Sequence, residues 1–251
     1  MLFMDAYTDF ASVYDEFMED TPYDEWCENI VDNLREFGVT GGLVCDLGAG
    51  TGEMTRRLRD KGFDMIGIDS SEEMLMIARA KEGDAQDILY LCQDMREFEL
   101  YGTVAAVVSV CDCVNYILEE SELVTVFKLV NNYLDPSGVF VFDFNTKHKY
   151  RDVIGERTIA ENREDESFIW ENFYDEEDDI NEYDITFFVR EGELFRRFTE
   201  THLQRGYDLS EMKRMVEESG LIFVKAYDAD TKGEATEDSE RIVIVAKECG
   251  K

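Results

Sequence analysis

The sequence predicts an α/β fold in which helices cover both faces of a doubly wound parallel sheet. From residue 43 onward, short apolar runs of strand length alternate with stretches of helical periodicity. Several of these runs are almost continuously apolar, which is typical of parallel strands that are buried on both faces. The length of 251 residues suits one large domain, or one domain that carries an insertion.

The elements follow in order along the chain. Residues 5–38 are predicted to be helical, because aromatic and aliphatic residues recur every three or four positions. Within this segment a second helix should have Thr21 as its N-cap, Pro22 as its first residue and Gly38 as its stop. The predicted strands are then 43–48, 64–69, 88–94, 104–110 and 139–144, and the predicted helices are 52–61, 71–81 and 121–134.

The pattern changes after Asn145. Residues 161–184 hold 12 Asp and Glu against one Arg, and we interpret them as a solvated edge and hairpin loop, with attraction of a cationic partner as the alternative. Residues 184–207 predict two strands that turn at Glu191-Gly192, so an antiparallel sheet is inserted here. The α/β pattern then returns with one helix that ends near Gly220 and two strands, 221–227 and 241–247.

Charge and cysteine usage exclude several classes of protein. With 58 Asp and Glu against 25 Lys and Arg, the net charge of −33 repels phosphate backbones and anionic membranes, so neither is an expected partner. The first ten residues lack a signal-peptide pattern, and the uncharged run 100–111 is too short to span a bilayer, which predicts a cytoplasmic protein. The six cysteines form no C-x-x-C pair, so we expect reduced thiols and no metal site.

The first predicted strand ends in a glycine-rich bend, DLGAGTG, at residues 46–52. Glycines at such a bend permit positive φ and let a ligand approach bare backbone, while the next helix presents unpaired N–H groups. The spacing G-x-G-x-G differs from the dinucleotide-binding G-x-G-x-x-G. A carboxylate at Asp46 would repel a pyrophosphate but attract an ammonium group. We therefore expect a nucleoside that carries an amino acid.

Four segments together resemble the class I S-adenosylmethionine-dependent methyltransferases. VCDLGAGTG (44–52) resembles the first motif of the family, and residues 108–117 resemble the fourth motif, which lines the methyl group. Asp69 ends the second strand, where the family binds the ribose hydroxyls, and Asp94 follows the third, where the family binds the adenine amino group. The resemblance implies S-adenosylmethionine as cofactor and a mostly parallel Rossmann-like sheet with an antiparallel last strand. It also implies a helical lid (1–38), a methyltransferase domain (1–145 and 206–251) and an inserted β cap (146–205).

A pattern in the amino-terminal segment points to one subgroup of this family. The pattern Y-x-x-F-A-x-x-Y-D-x-F, from Tyr7 to Phe17, is similar to that of bacterial small-molecule methyltransferases, which include sugar-amine N-methyltransferases. The resemblance implies methyl transfer to nitrogen or oxygen of a small-molecule acceptor. Two alternatives stay open: an NAD-dependent oxidoreductase on a similar sheet, and a non-catalytic cofactor-binding or interaction module.

Individual roles are assigned by position in the family pattern. The implied cofactor contacts are Tyr14, Trp26, Asp46, Gly48, Ala49, Gly50, Gly52, Asp69, Ser70, Met74, Asp94, Met95 and Cys111. Three residues are candidates for the general base, and the choice among them is open: Asp112, Tyr14 and His202. The expected substrate contacts are Asn115, Tyr116, Trp170, Arg205 and Tyr207. Core packing is the alternative role for Tyr14 and Trp26 on their apolar helix faces.

Overall fold

A computed structural model describes residue 11 and residues 14–250. Its strands are β1 (Leu43–Leu47), β2 (Asp64–Asp69), β3 (Leu89–Cys92), β4 (Val104–Ser109), β5 (Leu134–Asn145), β6 (Thr158–Asn162), β7 (Glu166–Asp175), β8 (Ile180–Glu191), β9 (Leu194–Arg205), β10 (Ile222–Asp228) and β11 (Arg241–Lys247). Its α-helices are α1 (Tyr14–Phe17), α2 (Tyr23–Glu36), α3 (Glu53–Asp60), α4 (Glu72–Lys81), α5 (Glu120–Tyr133) and α6 (Leu209–Glu218). The predicted Tyr7–Phe10 part of the lid lies outside the described residues.

Seven strands form the main sheet, in the order β10-β11-β5-β4-β1-β2-β3. β1 pairs in parallel with β2 and β4, and β4 pairs in parallel with β5. β11 is antiparallel to both of its neighbours, β5 and β10. The prediction of a mostly parallel, doubly wound sheet with an antiparallel last strand is confirmed.

Helices cover the main sheet on both faces because alternate residues of each strand point in opposite directions. On β5, Phe140 and Phe142 pack in the apolar cluster that contains side chains of α5 and α6. Their neighbours Val139 and Val141 pack in the cluster that contains side chains of α2 and α3. Full burial of each such side chain stabilises the fold by about 1.5–3 kcal/mol, which explains the nearly continuous apolar strands.

The second sheet has the order β6-β7-β8-β9 and is antiparallel throughout. The predicted hairpin is present, since β8 and β9 pair from Glu191 and Leu194 outward. The interpretation of residues 161–184 as an edge and hairpin loop is correct for the end of the edge strand β6 and for the turn at 176–179. It is wrong for β7, which lies inside the sheet between β6 and β8. β7 has one solvated face: Trp170 and Tyr174 lie on the more buried side, while Glu171 on the other side is exposed.

The start of α2 also differs from the prediction. Pro22 occupies the N-cap position and the helix begins at Tyr23, so the predicted Thr21 cap is one residue too early. The Thr21 hydroxyl instead lies 3.8 Å from the sulfur of Met18. The predicted stop is correct: Gly38 has φ +86°, and the N–H that follows it donates to the carbonyl of Leu34 at 2.9 Å.

A third, smaller apolar cluster joins α1 to the second sheet above the start of α4. We call it the lid contact, and its buried members are Ala11, Met74, Tyr183, Ile185 and Phe187. The ring of Phe17 on α1 packs 5.2 Å from Phe168 and 5.3 Å from Phe187. Along the described part of the chain, no helix has the length and apolar character needed to cross a membrane.

Candidate active site

The glycine-rich bend lies at the carboxyl end of the central strand β1. Gly48, Gly50 and Gly52 have φ values of +82°, +53° and +77°, a region that other residues rarely adopt. The N–H groups of Gly48 and Ala49 donate to the carbonyl of Ile68 at 2.8 and 2.9 Å. These bonds fix the bend to the end of the neighbouring strand β2.

Two glycines of the bend face different surroundings. A Cβ atom on Gly48 would lie 2.4 Å from the sulfur of Cys113, so the bend packs closely against the segment that follows β4. A Cβ atom on Gly50 would meet no heavy atom within 4 Å. The backbone of Gly50 therefore faces open space, as a ligand that approaches bare backbone requires.

Asp69 ends β2 and holds the bend in place. One of its oxygens accepts from the N–H of Gly50 at 2.8 Å, and the other accepts from the N–H of Ser71 at 2.9 Å. Burial raises the pKa of Asp69, although these bonds and one from the N–H of Ser70 oppose the effect. An ionised carboxylate has about four lone-pair positions. The N–H groups of Gly50, Ser70 and Ser71 fill three of them, so Asp69 can still accept a bond from one hydroxyl group.

Asp46 lies beneath the bend and is only 1% exposed. Its Oδ2 accepts from the Thr55 hydroxyl at 2.6 Å. Burial, helped by the nearby charge of Asp69, raises the pKa of Asp46 to about 7. Among the described residues, Asp46 Oδ1 has no hydrogen-bond partner. A buried acceptor of this kind is normally filled by a donor from water or a ligand.

Asp94 follows β3 at the same edge of the sheet. Its two oxygens each lie 3.0 Å from the Nε of Arg96. Although burial acts to raise it, this pairing holds the pKa of Asp94 below its usual value. Next to it, the end of the Met95 side chain lies 3.9 Å from the Cβ position of Gly48. Both residues are therefore on the side of the sheet where the bend lies.

The turn after β4 has an unusual backbone. Cys111 and Asp112 both have positive φ, +62° and +51°, and such strain in residues other than glycine is concentrated at functional sites. Asp143 on β5 holds the turn by accepting from the N–H of Asp112 at 2.8 Å and of Cys111 at 3.3 Å. Sequence reasoning missed Asp143, although an acid at the end of an apolar strand is the same signal that identified Asp69.

The side chain of Asp112 points to the second sheet. Its Oδ2 accepts from the Nε2 of Gln204 on β9 at 2.5 Å. Burial raises the pKa of Asp112 to about 6; the charge of Asp143 adds to this effect, and that of Lys149 opposes it. Gln204 was not among the predicted site residues.

Aromatic side chains of the second sheet lie close to the same turn. The Tyr116 hydroxyl is 3.2 Å from His202 Nδ1 and 3.1 Å from the Tyr183 hydroxyl. The rings of Tyr183 and His202 stack with centroids 5.0 Å apart, and the Trp170 ring lies 4.9 Å from Tyr183. The structure thus brings together the predicted residues Tyr116, Trp170 and His202, and it adds Tyr183.

Tyr14 and Trp26 approach the site from the amino-terminal helices. Tyr14 is hydrogen-bonded to Tyr23, and burial, together with the neighbouring Cys111, raises the pKa of Tyr14 well above its usual value. Trp26 stacks under the guanidinium of Arg241, whose Cζ lies 3.8 Å from the ring centroid. Arg241 also lies 3.5 Å from Asp143, so Trp26 packs beside the residue that holds the strained turn.

Three of the expected substrate contacts form hydrogen bonds to the main chain. Asn115 is fully buried, donates to the carbonyls of Asn145 and Arg205 at 2.9 and 2.7 Å, and accepts from the N–H of Asn145. Arg205 and Tyr207 donate to main-chain carbonyls of the loop before α5. These polar groups therefore stabilise the main chain, and the substrate roles of Asn115, Arg205 and Tyr207 stay predictions.

Comparison with known proteins identifies the family. The family model described as a methyltransferase domain matches residues 44–138. YqeM of Bacillus subtilis (strain 168), which carries a methyltransferase assignment, is 39% identical over 242 residues, or 96% of each chain. The chain belongs to the class I S-adenosylmethionine-dependent methyltransferases. This assignment replaces the alternative of an NAD-dependent oxidoreductase.

Two other proteins are also similar to this methyltransferase. A crystal structure of an S-adenosylmethionine-dependent methyltransferase from Clostridium acetobutylicum ATCC 824 is 29% identical, has a TM-score of 0.89, and matches over 97% of this chain and 99% of its own. The dTDP-3-amino-3,4,6-trideoxy-alpha-D-glucopyranose N,N-dimethyltransferase of Streptomyces venezuelae is 32% identical over 138 residues, which are 54% of this chain and 56% of that protein.

The polar groups at the bend fit S-adenosylmethionine. Gly50 has open space beside its backbone, and Asp69 retains a lone-pair position for a hydroxyl group. The buried oxygen of Asp46 lacks a donor among the described residues, and the cofactor carries an ammonium group. The methyltransferase therefore has open backbone at Gly50, an acceptor at Asp69 that suits the ribose, and an acceptor at Asp46 that suits the ammonium group of its cofactor.

Proposed function

We propose that this methyltransferase transfers a methyl group to a nitrogen or oxygen of a small molecule, and that an amine is the acceptor its site favours. The observation that carries the proposal is the position of Asp112. Its neighbour Cys113 contacts the bend, with Sγ 3.5 Å from the carbonyl of Gly48, and its carboxyl group points toward Gln204 on the second sheet. The candidate base thus lies between the cofactor bend and the cap.

The chemistry of these neighbours suits an amine. A carboxylate beside aromatic rings attracts an ammonium group through charge and through the ring faces. An amine must lose its proton before its lone pair can attack a methyl carbon, and a base with a pKa near 6 can take that proton at neutral pH. A hydroxyl group holds its proton much more tightly, so the same base favours nitrogen.

The cofactor supplies a methyl group that is already activated on a sulfonium. We assign the bend, residues 48–52, to its methionine part, Asp69 to its ribose, and Asp94 with Met95 to its adenine. The main task of the protein is then to orient the acceptor, and orientation supplies up to roughly 7–11 kcal/mol in favourable cases. Residues 146–205 would act as a cap and residues 1–38 as a lid, which together exclude water.

Cofactor binding is tested first, by isothermal titration with S-adenosylhomocysteine. We expect Asp69→Ala to weaken binding at least tenfold, because a hydroxyl bond to a charged acceptor is lost. The matched control is Asp64→Ala, which removes an exposed carboxyl group at the opposite end of the same strand. Equal affinities of the two variants would contradict the ribose assignment.

Methyl transfer is tested next, with S-adenosylmethionine and a panel of small amino sugars and their hydroxyl counterparts. Formation of S-adenosylhomocysteine is the measured quantity. We expect turnover with amines, and we expect Asp112→Asn to lower kcat by about 10²-fold or more without weakening binding of S-adenosylhomocysteine. Asp64→Asn is the control for kcat.

Three other outcomes of this assay would change the proposal. Turnover with hydroxyl compounds alone would move the proposal to oxygen. Tight binding of S-adenosylhomocysteine without turnover of any compound would favour the non-catalytic module. An Asp112→Asn variant as fast as the wild type would remove Asp112 as the base and leave His202 and Tyr14.

A further inference from the structure

A chain of hydrogen bonds ends at Asp112 and passes through residues with no assigned role. Lys149 Nζ lies 2.9 Å from Asn145 Oδ1, and Asn145 Nδ2 lies 3.1 Å from the Tyr150 hydroxyl. The Tyr150 hydroxyl lies 2.7 Å from Gln204 Oε1, and Gln204 Nε2 lies 2.5 Å from Asp112 Oδ2. We call these five residues the amide chain.

The amide chain has one consistent direction. A lysine ammonium can only donate, so it must face the oxygen of Asn145 and leave the NH₂ of that amide to face Tyr150. The Tyr150 hydroxyl accepts this bond and donates its own proton to the oxygen of Gln204. The NH₂ of Gln204 then faces Asp112, which must accept. Because Lys149 fixes the direction of every bond in the amide chain, the group at the opposite end must be an acceptor. An ionised carboxylate at Asp112 is such an acceptor.

The inner members of the amide chain are shielded from water. Asn145, Tyr150 and Gln204 are 4%, 1% and 2% exposed, so water does not compete for their bonds. Hydrogen bonds in such surroundings are stronger and polarise one another. Tyr150 lies on a short π-helix, Lys149–Ile154, a rare element that is frequent at functional sites.

The amide chain also connects separate parts of the fold. Asn145 ends β5 of the main sheet, Gln204 lies on β9 of the second sheet, and Asp112 lies in the strained turn after β4. The bond between Gln204 and Asp112 therefore forms only when the second sheet is seated on the main sheet.

We propose that Tyr150 and Gln204 are positioning residues that hold the Asp112 carboxylate ionised and correctly oriented, so that the base is ready only when the cap is closed. This inference rests on the proposed function for the role of Asp112, but the bonding itself does not. Other ionisable groups also face Asp112: Asp143 and Arg241 from the main sheet, Lys149 from the π-helix, Tyr183 from the second sheet, and the neighbouring Cys111 and Cys113.

The test is a pH titration of the ¹³C-labelled full chain without added cofactor, followed through the side-chain carboxyl carbon of Asp112, because the backbone N–H of Asp112 is bonded to Asp143 and would report that group instead. The wild-type midpoint is expected near the pKa of Asp112, about 6. It should rise by about 0.5 unit in Tyr150→Phe, which breaks the amide chain at its centre, and by about one unit in Gln204→Leu, which removes the final donor. The titration should disappear in Asp112→Asn.

Tyr174→Phe is the matched control, because Tyr174 is also a buried tyrosine, on β7, and its hydroxyl bonds to Asp179 at 2.9 Å. Its midpoint should equal that of the wild type. A Tyr150→Phe midpoint equal to that of Tyr174→Phe overturns the inference, and Tyr150→Phe suffices if Gln204→Leu does not fold. The expected order of midpoints together with full activity of Asp112→Asn would support the amide chain and overturn the proposed base.

Discussion

Replacing Gly48 with alanine tests the contact between the glycine bend and the turn after β4. The added Cβ would lie 2.4 Å from the sulfur of Cys113 and 2.8 Å from its Cβ, and the backbone there has φ +82°. The left-handed conformation costs an alanine about 1–2 kcal/mol, and overpacking of a close contact costs about 1–3 kcal/mol. We therefore expect Gly48→Ala to lower the free energy of unfolding by about 2–5 kcal/mol, measured by urea denaturation with circular dichroism.

Gly50→Ala separates the two contributions. Gly50 also has positive φ, +53°, but a Cβ there meets open space. Its replacement should lower the free energy of unfolding by only about 1–2 kcal/mol, while it weakens binding of S-adenosylhomocysteine because the backbone is no longer bare. If the two variants lose the same stability within about 0.5 kcal/mol, the close packing inferred at Gly48 is wrong.

Two further predictions concern buried polar side chains. Burial raises the pKa of Asp46 to about 7, so ionisation of Asp46 opposes folding at pH values above its unfolded pKa of about 3.9. The Asp46→Asn variant should therefore become more stable relative to the wild type as pH rises from 4 to 8, by on the order of 1.4 kcal/mol per unit of pKa shift. A difference in thermal unfolding that does not change with pH would refute this. Asn115→Ala should lose about 2–4 kcal/mol in urea denaturation, because buried main-chain groups lose their partners, while the KM for the methyl acceptor stays unchanged. A raised KM at normal stability would support the predicted substrate contact.

Much of the fold could be predicted because the main sheet is buried on both faces. Strands such as β2 and β4 are then without polar side chains over residues 65–68 and 104–108, and helices separate the strands in the sequence. The same reasoning failed at β7, which has one solvated face. A count of acidic residues over 161–184 hides the alternation that places Trp170 and Tyr174 on one side and Glu171 on the other.

The candidate site was predictable where it depends on strand ends. Asp46, Asp69 and Asp94 come from neighbouring parallel strands, whose carboxyl ends meet at one edge of the sheet. Residue type alone does not show which way a side chain points, so the sequence did not reveal that Asn115 and Tyr207 bind the main chain.

Gln204, Tyr183 and Tyr150 could not be identified from the sequence for a different reason. Their partners belong to segments that are distant in sequence, and only the packing of the second sheet on the main sheet brings them together.

If residues 1–38 act as the proposed lid, we expect the lid contact to set how molecules exchange with the site. It is much smaller than either cluster that packs against the main sheet, and it joins the beginning of the chain to a sheet far along it. Separating α1 from Phe187 exposes little apolar surface, so this opening requires only a fraction of the free energy of global unfolding. The residence time of the demethylated product should therefore follow the strength of this one contact, while the main sheet stays intact through every cycle.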